Sequence, residues 1–232
     1  MPGYRMMYAK EGPARYISHL DLLRTFGRAA RRAGLPLAFT QGFNPHPKIA
    51  FAAPLGVGTS GEAEFADLEL TEDLPATDVA KALSDTLPEG LRLLEVRLLP
   101  DRHPALMAMV DRASYRAEAK ACASVTEEEV EKAIGEFLST KKIWVERKNK
   151  AGGKNLYDIR PGIFAMSGKL GNGIISIEAE LKTGSSGNVR FEEVLTAFEG
   201  SSSPLVQGRF VLYRTCLYAG SEKEKKTLWH GR

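Results

Sequence analysis

The chain has 232 residues, of which 43% are hydrophobic and 26% are charged, a normal composition for one large globular domain or two ordinary ones. The formal net charge of +3 does not by itself indicate nucleic-acid binding, and no apolar run is long enough to span a bilayer. The two cysteines, Cys122 and Cys216, lack metal-ligand spacing, so we predict a cytoplasmic protein with no metal site, no cofactor and no disulfide framework.

The first half of the chain alternates strand and helix patterns. A strand pattern at 4–10 is followed by Ser18 and Asp21, which form a capping box. Apolar residues at helical spacing, including Leu22, Leu23 and Phe26, then predict a helix over 19–33. The later elements are predicted strands at 37–40, 48–53 and 62–70, a helix capped by Thr77 or Asp78, and a strand at 91–99.

The second half repeats this order without repeating the residues. Thr126 and Glu129 form another capping box. The predicted elements are strands at 114–121, 143–147, 173–181 and 209–218, and helices beginning at Thr126 and at Val189. Both halves indicate an α+β fold of two tandem ferredoxin-like (split β-α-β) units. We predict a first unit at 1–100, a linker at 101–112, a second unit at 113–220 and a disordered tail at 221–232.

A proline-braced loop lies between two of the predicted strands. Pro45 and Pro47 fix their own backbone, and Gly42 permits angles that other residues avoid. Stiff loops of this kind commonly hold ligands. The predicted ligand-binding residues are Gln41, Asn44, His46 and Lys48. The alternative is a tight connection whose polar side chains cap backbone groups.

Two groups of basic residues are candidates for RNA binding. Arg24, Arg28, Arg31 and Arg32 recur at spacings that place them on one face of the first helix, and Arg15 precedes it. The alternative for this stripe is a solvated helix face. The second group surrounds a Gly-Gly tip and is interleaved with Trp144 and Tyr157; its cations are Lys141, Lys142, Arg147, Lys148, Lys150 and Lys154.

Cations interleaved with aromatic rings are typical of surfaces that stack unpaired bases. The alternative is a charged β-hairpin with Trp144 packed in the core, and strand propensity favours that alternative. Only the tip, with Lys148, Lys150 and Lys154, is then exposed for RNA.

The sequence assigns no catalytic residue. It has no phosphate-binding loop and no strand-nucleophile-helix motif. If the protein is an enzyme, His46 and His19 are the candidates for general acid-base catalysis, because the other two histidines lie in the predicted linker and tail.

Several motifs resemble those of one known family. They are Ala14–Arg24, Arg31–Leu37, Gln41–Lys48, Tyr157–Pro161, Gly187–Arg190 and Arg214–Thr215. The chain resembles the radical-SAM-linked family, whose domain is encoded beside, or fused to, a radical SAM protein. This resemblance implies a radical SAM protein as partner. The chain lacks the three-cysteine cluster of radical SAM enzymes, so it cannot hold their iron–sulfur cluster itself.

Three functions are compatible with these observations. The first is a non-catalytic accessory protein that binds tRNA or rRNA and acts with a radical SAM partner in RNA modification. The second is a metal-independent endoribonuclease, because two ferredoxin-like units with an early histidine resemble the superfamily of CRISPR repeat-processing enzymes. The third is a pure protein-interaction subunit that docks through Phe43, Pro45 and Pro47.

Overall fold

The computed structural model of the protein describes residues 1–149, 152–184, 187–220 and 225–229. The strands are β1 (Gly3–Lys10), β2 (Ile49–Phe51), β3 (Ser60–Glu69), β4 (Leu91–Leu98), β5 (Val110–Ala121), β6 (Trp144–Lys148), β7 (Lys154–Asp158), β8 (Ile163–Gly171), β9 (Ile174–Lys182), β10 (Val206–Ala219) and β11 (Lys226–Thr227). The helices are α1 (His19–Arg32), α2 (Ala76–Ser84), α3 (Leu106–Met109), α4 (Glu127–Ser139) and α5 (Phe191–Ser201). The fold is mixed α+β with mostly antiparallel strand pairing.

The chain divides into two compact units. Unit 1 contains Met1–Asp111 and Tyr213–Arg232, and unit 2 contains Arg112–Leu212. The predicted second unit extended to residue 220, whereas the segment from Tyr213 onward groups with unit 1. The reason is long-range strand pairing, since the second half of β10 lies beside β3.

Part of the predicted disordered tail is ordered. Strand β11 pairs with β10 within unit 1, and Leu228 is completely buried. The prediction therefore does not hold for residues 225–229. Residues 221–224 and 230–232 lie outside the described residues.

In unit 1, strand β1 is antiparallel to β3 on one side and to β4 on the other. The other edge of β3 pairs antiparallel with β2 and parallel with β10. One face of β1 places Tyr4, Met6 and Tyr8 against Leu22 and Phe26 of α1 in the main core. The predicted buried face of the first helix is thus confirmed.

The opposite face of β1 is covered by α3 and residues 225–229. Arg5 lies on this face and is almost completely buried. Its guanidinium binds both carboxylate oxygens of Asp67, at 2.7 and 2.8 Å, and donates to the backbone carbonyl of Leu228. Its Nη1 lies 3.3 Å from Sδ of Met109. These contacts replace the water molecules that the guanidinium loses on burial.

In unit 2, strand β9 is antiparallel to β5 and to β8, and β10 is the other neighbour of β5. The predicted capping box of Thr126 and Glu129 is present at the start of α4. Phe137 of α4 meets Phe198 of α5 edge-on, with ring centroids 5.6 Å apart. Strands β6 and β7 form a separate hairpin.

Three local predictions differ from the structure. Residues 37–40 make only isolated bridges and no continuous ladder. The backbone N–H of Ala38 donates to the carbonyl of Glu69, and the carbonyl of Ala38 accepts the N–H of Lys48. Helix α2 begins at Ala76 after Pro75, so Thr77 and Asp78 lie inside its first turn and do not cap it. Strand β8 was not predicted.

Candidate functional site

Helix α1 presents four arginines to solvent. The Ser18 hydroxyl donates to Oδ2 of Asp21 at 2.7 Å and accepts the backbone N–H of Asp21 at 3.2 Å, so the helix begins at the predicted cap. Leu22 and Phe26 occupy the buried side. The exposed arginines are Arg24, Arg28, Arg31 and Arg32, and within the described residues the first three make no hydrogen bond outside α1.

These arginines carry few competing contacts. Arg24 bonds Asp21 at 3.1 Å, but both side chains are more than half exposed, so water weakens this pair. The hydrogen bond from the Ser18 hydroxyl lowers the pKa of Asp21, and the bond from Arg24 lowers it further. The guanidinium of Arg31 lies 5.7 Å from the ring centroid of Phe39. The stripe therefore keeps a net positive charge toward solvent.

Two other predicted cations contribute to structure. Nη2 of Arg32 donates to the backbone carbonyl of Thr86 at 2.6 Å, which ties the end of α1 to the residues after α2. Arg15 is half-buried, and its Nη2 donates to the hydroxyl of Tyr16 at 2.7 Å. Its carbonyl accepts the backbone N–H of Gly58 at 2.9 Å.

The proline-braced loop is closed by backbone contacts. The backbone N–H of Thr40 donates to the carbonyl of His46 at 2.9 Å, and the N–H of His46 donates to Oγ1 of Thr40 at 3.0 Å. Pro47 packs on α1 at Gly27. A Cβ added at Gly27 would lie 3.4 Å from Cγ of Pro47. The loop therefore lies directly on the helix that carries the arginines. We call Arg24, Arg28, Arg31 and residues 40–48 the helix–loop surface.

The polar side chains at the loop tip are available for a ligand. Gln41, Asn44 and His46 are exposed, and in the part of the chain that the structure describes no hydrogen bond engages their side chains. Phe43 is fully exposed at the same tip. Lys48 differs from them, since its Nζ lies 2.6 Å from Oε2 of Glu69. The loop keeps its shape through its backbone and leaves three polar side chains free.

The two candidate histidines have different surroundings. His19 lies in the first turn of α1, and its ring meets Phe51 edge-on with a centroid separation of 5.5 Å. His46 lies at the end of the loop. Among the described residues, no hydrogen bond or ring contact joins these two side chains. The structure therefore does not pair them as an acid and a base.

The second basic group lies on the β6–β7 hairpin of unit 2. Trp144 is 54% exposed, so the prediction that it packs in the core is wrong. Lys148 lies directly opposite Lys154 across the hairpin. Nζ of Lys154 is 2.5 Å from Glu146, and this hydrogen bond raises the pKa of Lys154. The third tip residue, Lys150, lies outside the described residues.

The Tyr157–Pro161 motif joins elements of unit 2. Asp158 accepts the backbone N–H groups of Ile143 and Arg160. Arg160 donates to the carbonyls of Leu138 and Ile163, at 3.0 and 3.1 Å. These contacts fix the base of the hairpin against the end of α4.

Sequence analysis missed a buried ion pair in unit 1. Arg214 binds both carboxylate oxygens of Glu64 and donates to the carbonyls of Ala53 and Pro54 at 2.9 and 3.0 Å. Both charged side chains are almost completely buried. A Cβ at Gly61 would lie 2.5 Å from Cγ of Glu64, so a glycine is needed there. The sequence carried no signal for this pair, because Glu64 is one of four carboxylates in the predicted strand at 62–70.

Lys10 and Tyr8 lie beside this ion pair. Nζ of Lys10 donates to the carbonyl of Ile17 at 2.8 Å, and the residue is almost completely buried. Burial lowers the pKa of Lys10, an effect that Glu64 opposes and Arg214 reinforces. Burial also raises the pKa of Tyr8 well above its ordinary value. These groups are enclosed by unit 1, so we assign them to its interior and not to a ligand site.

The described residues contain neither a metal-binding cluster nor a membrane-spanning helix. Across residues 1–149, 152–184, 187–220 and 225–229, no group of three or more His, Cys, Asp or Glu side chains could hold a metal ion. No helix in the same ranges is long and apolar enough to cross a membrane.

Comparisons with known proteins give one family and distant structural likenesses. Residues 3–191 match the family described as "Uncharacterized protein conserved in bacteria (DUF2344)". A crystal structure of a Cbf5-Nop10-Gar1 complex contains a chain with 10% identity and a TM-score of 0.49; the similarity covers 93% of this chain and 50% of that one. The chain thus spans half the length of that relative.

A crystal structure of an unknown protein from Galdieria sulphuraria has 13% identity and a TM-score of 0.25. The similarity covers 86% of this chain and 91% of that one. No curated protein matches the chain.

Proposed function

The chain belongs to the bacterial family DUF2344, and we propose that it is a non-catalytic accessory protein that binds tRNA or rRNA and presents it to a radical SAM partner for modification. The observation that carries the RNA-binding part is the helix–loop surface. It combines exposed arginines with neighbouring polar side chains that make no hydrogen bonds within the described residues.

The chemistry of this surface suits an RNA strand. Arginine guanidinium groups bind phosphates through paired N–H donors and release counterions when they do so. Gln41 and Asn44 each offer a carbonyl acceptor and an amide donor, which can bond the edges of exposed bases. The arginines supply affinity, and the loop residues supply recognition.

We further propose that each unit is ferredoxin-like. Strand order supports this proposal in both units. In unit 1 the order is β4-β1-β3-β2, with α1 following β1 and α2 following β3. In unit 2 the order is β10-β5-β9-β8, with α4 following β5 and α5 following β9. This is the split β-α-β pattern, with the β6–β7 hairpin inserted before β8.

The radical SAM partner is proposed from the resemblance of the sequence motifs. The tightest of these motifs, Gln41–Lys48, is the loop of the helix–loop surface. A cytoplasmic location is part of the same proposal. It is supported by Cys122 and Cys216, which are both free thiols.

The direct test is RNA binding by a charge-reversed variant. Arg24→Glu, Arg28→Glu and Arg31→Glu should together weaken binding of labelled tRNA, because three phosphate contacts are lost. Anisotropy titrations over a series of salt concentrations should show the log–log slope reduced by about 2 to 3.

A matched control makes the same change of formal charge elsewhere in unit 1. Lys81→Glu, Arg92→Glu and Arg102→Glu alter three exposed cations that are not part of α1 or the loop, and they should leave the salt slope closer to wild type. Equal losses in both variants would mean that only net charge matters, and the helix–loop surface would then not be the site.

The same preparations distinguish the other candidate functions. If wild type cleaves the tRNA in excess EDTA and His46→Ala does not, the protein is an endoribonuclease. An absence of salt-dependent RNA binding in the wild-type protein would reject the proposal and leave a protein-interaction subunit, for which Phe43 is the exposed contact residue.

A further inference from the structure

The β6–β7 hairpin exposes an apolar face. Trp144 and Leu156 are 54% and 64% exposed, and they lie on the same side of the hairpin. We call Trp144, Glu146, Lys148, Lys154 and Leu156 the outer hairpin face. Large apolar side chains grouped on a solvent-exposed surface commonly mark a binding site.

The other side of the hairpin is anchored to unit 2. Nε and Nη2 of Arg147 bind the Glu193 carboxylate at 2.9 and 2.5 Å, and Nη2 also donates to the carbonyl of Asn188 at 2.9 Å. The Arg147 guanidinium lies 5.1 Å from the ring centroid of Tyr157. These contacts fix which side faces outward, so the exposure of Trp144 follows from the fold.

Around the outer hairpin face three lysines stand beside two carboxylates, an excess of one positive charge. Nζ of Lys142 lies 5.5 Å from the ring centroid of Trp144. Lys148 and Lys154 lie directly opposite each other, an arrangement that is unfavourable between like charges unless an anion is near. Glu146 neutralises only Lys154. Asp158, at the other end, is engaged by two backbone N–H groups.

We propose that the outer hairpin face binds an unpaired nucleobase of single-stranded RNA, which stacks on Trp144 while Lys142 and Lys148 bind the adjacent phosphates. This inference deepens the proposed RNA-binding function and rests on it. It names the substrate class as an unpaired segment, because a base inside a duplex has no face available for an aromatic side chain.

The surrounding residues favour a sequence-tolerant contact. Every base has a stacking face, and lysine interacts with phosphate as a point charge, so neither interaction selects a particular base. A docking protein would be expected to match an apolar patch, whereas here three lysines and two carboxylates border one tryptophan and one leucine. The charge complementarity points to a polyanion.

Tryptophan fluorescence allows a specific test, because Trp144 and Trp229 are the only tryptophans in the chain. In a Trp229→Phe background, Trp144 is the sole reporter. The probes are an oligouridylate and an oligoadenylate of roughly ten nucleotides, within the size range of single-strand sites, and a blunt duplex of the same length. Stacking should quench the fluorescence with both single strands and much less with the duplex.

Affinity for the single strands should depend on the ring. Trp144→Ala should weaken binding about 5- to 150-fold, the range expected for loss of one base–aromatic stack, and Trp144→Phe should retain part of it. Ile174→Ala, which removes an exposed apolar side chain from β9, is the control and should bind normally. Circular dichroism of each variant checks that the fold is intact.

The outcomes separate the two proposals. If the protein binds tRNA with a salt-dependent affinity but Trp144→Ala changes neither affinity nor duplex discrimination, the hairpin inference is wrong and the helix–loop proposal stands. If wild type binds no RNA at any salt concentration, both fail. Self-association that Trp144→Ala abolishes, without quenching by either oligonucleotide, would assign the face to a second copy of the chain.

Discussion

At the scale of residues, unit 1 uses polar side chains in two different ways. Glu64 and Arg214 are buried and bind each other, so removing either one would leave an unpaired charge inside the fold. Asn44 and His46 are exposed at a loop that is closed by backbone contacts, so the fold does not need them. Stability and function should therefore be separable by mutation.

Replacing Asn44 and His46 with alanine should change the free energy of unfolding by less than about 0.5 kcal/mol, because surface substitutions away from structural contacts usually have small effects. The same double variant should lose RNA binding or support of the partner's activity. Thermal melts and anisotropy titrations measure the two effects. A loss of several kcal/mol with normal binding by the folded protein would make the loop architectural.

Lys10 should give unit 1 a distinctive dependence on pH. Its pKa in the folded protein is lowered from 10.5, so between the two values the unfolded chain binds more protons than the folded protein. The free energy of unfolding of wild type, relative to Lys10→Met, should therefore rise as the pH rises through this window. It should be at its lowest at pH values below both pKa values, where Lys10 is charged in both states.

The comparison with Lys10→Met is necessary because Tyr8 acts in the opposite direction. The pKa of Tyr8 is raised, so its effect lowers stability at pH values above 10.0. Both proteins contain Tyr8 beside Glu64 and Arg214, and its contribution largely cancels in the difference. Urea denaturation of both proteins from near neutral pH to about pH 10 provides the measurement. A constant or falling difference would contradict the prediction.

At the scale of elements, sequence reasoning succeeded where local chemistry decides the structure. Ser18 and Thr126 specify their helix starts through side-chain caps, and both starts were predicted correctly. The loop at 41–48 was recognised from its prolines and glycine. Its position on α1 was not deducible, because the contact between Pro47 and Gly27 is tertiary.

Strand β8 was missed for the same reason. Its sequence is rich in small residues, and Gly168 has low intrinsic preference for a strand. The glycine is required because a Cβ there would lie 2.6 Å from Cδ1 of Ile134 and 2.8 Å from Cγ1 of Val130. Close packing of α4 on β8 thus requires a glycine at position 168, and the low strand propensity of glycine hid this strand in the sequence.

This packing predicts the effect of a single methyl group. Gly168→Ala should destabilise the protein by about 1 to 3 kcal/mol through overpacking. Ile134→Val in the same chain should restore part of that loss, because it removes the nearest clashing carbon. Gly171→Ala on the same strand meets no atom within 4 Å and is the matched control. Denaturant unfolding of wild type, the single variants Gly168→Ala, Ile134→Val and Gly171→Ala, and the double variant would reveal whether the effects add or compensate.

At the scale of the whole molecule, unit 1 depends on residues far apart in the sequence. Leu228 is fully buried, and its carbonyl accepts a hydrogen bond from Arg5, 223 residues away. Trp229 packs edge-on against Phe65, and the Arg97 guanidinium lies 4.3 Å from its ring centroid. Sequence reasoning assigned this segment to a tail because its apolar residues follow a run of charges.

Leu228→Ala should therefore cost about 2 to 5 kcal/mol, as expected for a large-to-small change at a buried position. Leu98→Ala removes a half-exposed leucine from β4 and should cost much less. Differential scanning calorimetry of the two variants provides the comparison. Equal transitions would show that residues 225–229 do not contribute to the stability of unit 1.

The division of unit 1 between two separated segments has a consequence for protein synthesis. Residues 1–111 leave the ribosome first, but the partners of Glu64 and Arg5 lie at Arg214 and Leu228. Unit 2 is one continuous stretch, and all of its residues precede those partners in the chain. The unit whose translation begins first is thus completed last. Until then Glu64 lacks the Arg214 guanidinium, and Arg5, although Asp67 is already present, lacks the Leu228 carbonyl.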